Sequence, residues 1–216
     1  MKRIQYNSPV ILTFSIAVVI IHLLDWTVFP KLTYNFFVVR PTISLFDPLD
    51  YFRLLSHILG HASWKHLFGN LTYILLLGPI LEEKYGSPLI LLMILFTALF
   101  IGIINVLFFS KGLLGASGIV FMLIILVSVV DMKQGSIPLT FILVAGIFIS
   151  TEIVNAFRHD NISQMAHIMG GAMGAAFGFI FNLHGWGASA RISGASTRIV
   201  DKKGLGPNEP RSSEDP

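Results

Sequence analysis

Residues 88–109 read PLILLMILFTALFIGIINVLFF, an apolar stretch with no charged side chain and as long as the roughly 20 residues a helix needs to cross the hydrocarbon of a bilayer. In lipid the backbone N–H and C=O groups must be satisfied within the segment, so the run predicts a spanning helix. Working outward, five more segments approach or reach span length: residues 9–29, 67–81 extended backwards through His61, 113–130, 137–154 and 165–183. The fold class that follows is an all-α membrane protein, a bundle of six transmembrane helices. Most separators are short polar turns. The exception is residues 31–60, a long connection carrying Phe36, Phe37, Leu45, Phe46, Tyr51, Phe52 and Leu54 among charges and prolines. A solvated linker would not be so aromatic, and we expect this first loop to lie partly embedded in the interface, as amphipathic segments do.

Composition agrees with that class. Of 216 residues 54% are hydrophobic and 12% charged, against about 25% charged in a soluble domain, and the mean hydropathy is +0.74. The absence of cysteine closes disulfides, thiolate metal sites and cysteine nucleophiles. The formal charge of +3 is spread through loops and tail, without a basic helical face interleaved with aromatics, so no nucleic-acid partner is expected.

The first apolar run continues to Trp26 and ends in bulky residues, which reads as a retained span rather than a cleaved signal peptide. The organisation expected is a short N-terminus over residues 1–8, one membrane domain over 9–185 and a polar, disordered tail over 186–216. An even number of spans puts both termini on one side. Lys2, Arg3, Lys84, Lys133, Arg191, Arg198, Lys202, Lys203 and Arg211 share that side, against Lys31, Arg40, Arg53, Lys65, Lys111 and Arg158 opposite. The excess makes the termini cytoplasmic.

Three polar constellations interrupt the apolar pattern. In His61-Ala62-Ser63-Trp64-Lys65-His66-Leu67-Phe68-Gly69-Asn70, His66 and Asn70 are i, i+4 and share a helix face, so two hydrogen-bond donors can address one point. The plainer reading is an interfacial histidine and an asparagine bonded to a neighbouring helix. Zinc held by His57, His61 and His66 is a further reading, but the glutamate of a H-E-x-x-H site is missing, and no metal is expected.

Gly115-Ala116-Ser117-Gly118 opens the fourth segment. Gly-Ala-Ser recurs at Gly187-Ala188-Ser189 and Gly194-Ala195-Ser196, so the string alone says little. Position distinguishes Ser117: near a helix N-terminus the amides lack intrahelical partners and the macrodipole is positive, which suits an oxyanion. Counting along a span that begins at Leu113 puts Ser117 about 6 Å in, at 1.5 Å per residue. In the sixth segment His167 precedes Gly170, Gly174 and Gly178, a smooth stripe for close helix contact. It can be a histidine bonded across that contact, and ionisable groups in spans are also functional candidates. His22 and Asp25 are expected to satisfy each other or the interface, and Asn105 and Glu152 to bond between helices.

Read in order, H-A-S-W-K-H-L-F-G-N, G-A-S-G and A-H-I-M-G-G-A-M-G resemble the three signatures of the rhomboid family of intramembrane serine proteases, over about residues 9–185. Phe52-Arg53 resembles the aromatic-arginine pair of that family's embedded first loop, and Glu82-Glu83-Lys84-Tyr85-Gly86-Ser87 its turn after the second span. The resemblance implies a Ser117 nucleophile and His167 as general base and acid, without cofactor or metal. It implies an oxyanion held by the Ser117 N–H with the side chains of His66 and Asn70, and supporting roles for His61, Gly115, Phe121, Gly170 and Gly174. Where many relatives have tyrosine one turn after the serine, this chain has Phe121, whose ring can pack on His167 but brings no hydroxyl.

The resemblance also implies helical membrane-protein substrates cut in or near their spans. Residence would be the bacterial cytoplasmic membrane, with the site opening to the extracytoplasmic side and the fifth span acting with Phe148, Phe157 and the following loop as a lateral gate. A proteolytically inactive relative that binds membrane helices and a small transporter are the competing readings; against the transporter, there is no inverted repeat or paired intramembrane charge. Oligomeric state is not encoded in any of these motifs.

Overall fold

The computed structural model describes residues 4–130, 136–156 and 164–183. The tail from residue 186, Phe157 and the rest of the loop over 157–163 lie outside the described residues, as do the Glu152 side chain and several of the basic residues that set the predicted orientation. Among the described residues the architecture is all-helical: α1 Pro9–Thr27, α2 Leu32–Phe36, α3 Pro48–Ser56, a 3-10 turn His57–Leu59, α4 Trp64–Tyr85, α5 Ser87–Phe108, α6 Ser117–Ser128, α7 Leu139–Ala156 and α8 Gln164–Leu183.

Three of these are long and apolar enough to cross a membrane, namely Pro9–Thr27, Ser87–Phe108 and Gln164–Phe181. The other expected spans differ for identifiable reasons. Helix α4 is longer than its apolar stretch, opening with Lys65, His66 and Asn70 and closing with Glu82, Glu83 and Lys84. Helix α6 has 12 residues. It starts at Ser117 rather than Leu113 because Leu113 is drawn into an antiparallel bridge with Val39, each N–H donating to the other's carbonyl at 3.0 and 2.9 Å.

Local signals fix the helix ends. Pro9 and Pro48 sit in the first turns of α1 and α3, where a missing N–H costs nothing. The Asp47 carboxylate caps α3 by accepting from the Leu49 N–H at 2.9 Å, and the Ser63 hydroxyl caps α4 by accepting from the His66 N–H at 3.2 Å. Helix α1 has a cap borrowed from far along the chain. The Glu82 carboxylate, at the end of α4, accepts from the Val10 and Ile11 N–H groups at 3.0 Å each and from the Ser87 hydroxyl at 2.6 Å. A buried carboxyl group thus meets the positive end of α1 and pins it to the α4–α5 turn.

The first loop is ordered around Arg53. Its side chain is 1% exposed, its Nη1 donates to Asp50 Oδ1 at 2.6 Å and its Nε to the Asn35 carbonyl at 3.0 Å, while Ser56 Oγ donates to the Phe36 carbonyl. Helices α2 and α3 are stapled together this way. Burial acts to raise the Asp50 pKa, but bonds from the Ser44 N–H and Arg53 outweigh it and hold the carboxyl below its ordinary value. Tyr34, Leu45, Phe46, Tyr51 and Phe52 remain exposed. Of the two readings for His22 and Asp25, mutual pairing does not occur: Asp25 accepts from the Thr33 N–H at 2.8 Å and the His22 ring meets the Trp64 ring edge-on, while Asn105 donates to the Lys111 carbonyl in the next loop.

Helix α6 is the centre of the bundle, with Ile119, Met122, Leu123 and Leu126 wholly buried. Its contact with α8 is backbone against backbone. A methyl group on Gly170 would run into the Gly118 carbonyl, one on Gly174 into the Met122 carbonyl and one on Gly178 into the Val129 side chain. The glycine stripe read from the sequence is therefore the seam that joins the helix carrying Ser117 to the helix carrying His167.

Candidate active site

Ser117 is the first residue of α6, after Ala116 as N-cap. The first intrahelical bond runs from the Val120 N–H to the Ala116 carbonyl, so the amides of Ser117, Gly118 and Ile119 have no partner within the helix. The loop ahead of them is held by long-range bonds. Besides the Val39 bridge, the Gly115 N–H donates to the His57 carbonyl at 2.9 Å. Gly115 has φ +111, a conformation that favours glycine, and a Cβ there would lie 2.5 Å from His66 Cε1. Glycine is required twice over, by the turn and by the imidazole packed against it.

His167 is brought to the same place by the α6–α8 seam. The position of a Cβ on Gly118 is 3.2 Å from the Ala166 carbonyl oxygen, so the residue after the serine touches the residue before the histidine. One turn further along α6, the Phe121 ring lies over the His167 imidazole with centroids 4.3 Å apart and planes at 37°. The loss of a tyrosine hydroxyl does not cost the stacking. On the far side of Phe121 lies Phe148 of α7, at 4.5 Å and 33°.

The third element is the start of α4. The His66 ring packs edge-on to His61 at 5.0 Å and against the Gly115 turn that precedes Ser117. Asn70, 7% exposed, donates from Nδ2 to His61 Nε2 at 3.0 Å, and His61 Nδ1 faces the Leu59 carbonyl at 3.4 Å. A ring that accepts at Nε2 must donate at Nδ1, so one neutral tautomer satisfies both contacts. The Asn70 nitrogen carries a second N–H beyond the one that His61 accepts. His61 is thus the group that orients Asn70.

Of the residues singled out in the sequence, Ser117, His167, Phe121, Gly115, His66, Asn70 and His61 gather at one end of the bundle. Gly170 and Gly174 hold the seam beneath them. Among the described residues no three His, Cys, Asp or Glu side chains form a group that could hold a metal ion. Val39 and His57 were not legible as parts of the site, because each contributes only backbone atoms to the serine loop. His57 itself is buried, its Nδ1 bonded to the Leu54 carbonyl at 3.1 Å. Burial pushes its pKa down to about 4, against bonds to the Leu54 and Arg53 carbonyls that favour the proton.

A family model described as "Rhomboid domain" matches residues 48–183, the stretch that holds every one of these side chains. The chain belongs to the rhomboid family. It is 26% identical over 159 residues to "Rhomboid-like protein 11, chloroplastic" of Arabidopsis thaliana, a match covering 65% of this chain and 57% of that protein. It is 24% identical over 134 residues to "Rhomboid protease GlpG" of Haemophilus influenzae, covering 61% of this chain and 70% of that protein. The chain therefore spans little more than half the length of the first of these relatives. Rhomboid membership and the apolar helices together make this an integral membrane protein.

Proposed function

We propose that this rhomboid protein is an intramembrane serine endopeptidase. Ser117 Oγ attacks the scissile carbonyl while His167 takes its proton and later returns it to the leaving amine. The tetrahedral oxyanion is held by the Ser117 N–H at the open end of α6, with the side chains of His66 and Asn70. The observation that carries the reading is the meeting of Gly118 with Ala166 and of Phe121 with His167, which puts serine and histidine on facing turns of two helices in backbone contact. A dyad so mounted dispenses with the carboxylate that orients histidine in a triad, because ring stacking and the helix seam supply the orientation.

In this reading α1, α4, α5, α6, α7 and α8 are the six spans, with both termini cytoplasmic and the site opening to the extracytoplasmic face of a bacterial cytoplasmic membrane. Short α6 suits that arrangement. Its N-terminus lies below the surface, where irregular backbone enclosed by protein can hold the water that hydrolysis needs. Substrates are membrane proteins whose helix unwinds near the site, entering past α7. The similarity to a protein named as a protease supports the class of reaction.

The test is labelling with a serine-directed fluorophosphonate together with cleavage of a model membrane helix in liposomes. Wild type should do both and Ser117→Ala neither. Equal labelling and cleavage by Ser117→Ala would refute the assignment, and helix binding without turnover by wild type would mark an inactive rhomboid.

A further inference from the structure

The imidazole of His167 is the inner member of a chain of three rings. Phe121 covers it at 4.3 Å, and Phe148 covers Phe121 at 4.5 Å, with planes tilted by 37° and 33°. The outer ring comes from α7, the helix least enclosed by the bundle: Ile142, Leu143, Ile147 and Ile149 are all more than half exposed. Helix α7 is tied inward by a hydrogen bond from the Thr140 hydroxyl to the Ser128 carbonyl of α6 at 3.3 Å and by aromatic contacts. Phe141 packs edge-on to Phe179 of α8 at 5.4 Å, and Phe148 lies over Gly171 of α8, where an added Cβ would come within 2.8 Å of its Cε1. Gly171 is one turn beyond His167, so the notch that seats Phe148 is on the same helix as the histidine. Beside the pair of phenylalanines is a cavity of about 240 Å³, lined by Phe121, Ile124, Val144, Ile147, Phe148 and Thr151. The Phe148 ring is therefore fixed on two sides and has open space on another.

We propose that Phe148 is a positioning residue for His167, acting through Phe121, so that the competence of the histidine depends on where α7 sits. Stacked rings prefer particular offsets, and in close-packed surroundings a ring that loses its neighbour gains orientations. With Phe148 seated on Gly171, Phe121 is pressed against the imidazole. When α7 moves outward, Phe148 slides toward the cavity, Phe121 gains freedom and the imidazole loses the face that holds it toward Ser117. This differs from α7 acting only as a door, which would change the entry of a helix and leave the serine and histidine as they were. The inference rests on the serine-histidine reading above.

The experiment measures the rate of Ser117 labelling by a small water-borne fluorophosphonate, which needs no lateral entry, as a function of pH in detergent, alongside cleavage of a model membrane helix. Phe148→Leu keeps the bulk without the ring, Phe148→Ala removes both, Phe148→Trp restores a ring, and Ile149→Ala on the exposed side is the control. Labelling should slow about 2- to 10-fold in the leucine and alanine variants, the range one aromatic contact gives, with a displaced pH midpoint. It should return with tryptophan and be unchanged in the control. Labelling by Phe148→Leu with the wild-type rate and pH midpoint overturns the inference, whatever happens to helix cleavage, and leaves the serine-histidine reading standing. Wild type that fails to label, or Ser117→Ala that labels equally, removes that reading and the inference with it.

Discussion

The ring of Phe121 covers the imidazole of His167 at a centroid separation of 4.3 Å. Because the stacking uses the ring face and no hydroxyl, Phe121→Tyr should retain turnover within about twofold. Phe121→Ala should lose roughly 2- to 10-fold in kcat, the equivalent of a ring pair worth about 0.5–1.5 kcal/mol. Steady-state cleavage of a model helix checks both.

His66 and Asn70 are predicted to act on the oxyanion, so His66→Ala should cost about 10²- to 10³-fold in kcat with a smaller change in KM. His61 reaches that chemistry through its hydrogen bond with Asn70 and its ring contact with His66. A double-mutant cycle of His61→Ala with Asn70→Ala should be less than additive, the shortfall being the part His61 exerts through Asn70; full additivity would mean that His61 does not act through Asn70.

The α6–α8 seam leaves no room for a methyl group at Gly170, which would collide with the Gly118 carbonyl. Gly170→Ala must push two backbones apart beside Ser117, at a cost of about 1–3 kcal/mol. On α7, a methyl group added at Gly146 would meet nothing within 4 Å, and Gly146→Ala should stabilise its helix by up to about 1 kcal/mol. Thermal unfolding in detergent should move in opposite directions for the two.

His57 gives a signed pH dependence. Its pKa is lowered from 6.5 to about 4 by burial, so between those values the unfolded chain binds a proton that the folded chain refuses. Its contribution to stability is complete above about pH 6.5, falls as the pH drops toward 4 and levels off below. The full span amounts to about 3 kcal/mol. Unfolding midpoints of wild type and His57→Gln should converge on acidification across that window; parallel curves would show that His57 does not titrate there.

Removing the Glu82 carboxylate leaves the Val10 and Ile11 amides without their acceptor. Glu82→Ala should destabilise the fold by about 1–3 kcal/mol, and Glu82→Gln, which keeps one acceptor oxygen, by less. Chemical unfolding in mixed micelles provides the measurement.

Some of this is legible in the sequence because it is local. An apolar run such as residues 88–109 contains all the information its helix needs, and glycines four apart announce a helix seam wherever its partner lies. Ser117 stands out by its place near a helix N-terminus, and His167 as an ionisable group in an apolar segment. The rest depends on contacts between distant segments. Helix α6 begins at Ser117 because Val39 captures Leu113, and nothing around Leu113 foretells that. Glu82 reads as one charge in a polar turn until the end of α1 is seen beside it. His61 stands out in the sequence only as a supporting position, and the fold shows that it is the histidine facing Asn70.

The bridge between Val39 and Leu113, with the bond from the Gly115 N–H to the His57 carbonyl, has a consequence for biogenesis. Contacts so far apart in the chain close late, since the entropy of the intervening loop must be lost first. The segment carrying Ser117 therefore enters the membrane before the backbone that shapes its turn has docked. The turn ahead of α6 takes its final shape only when the first loop settles against it, so the geometry around Ser117 is a late product of folding.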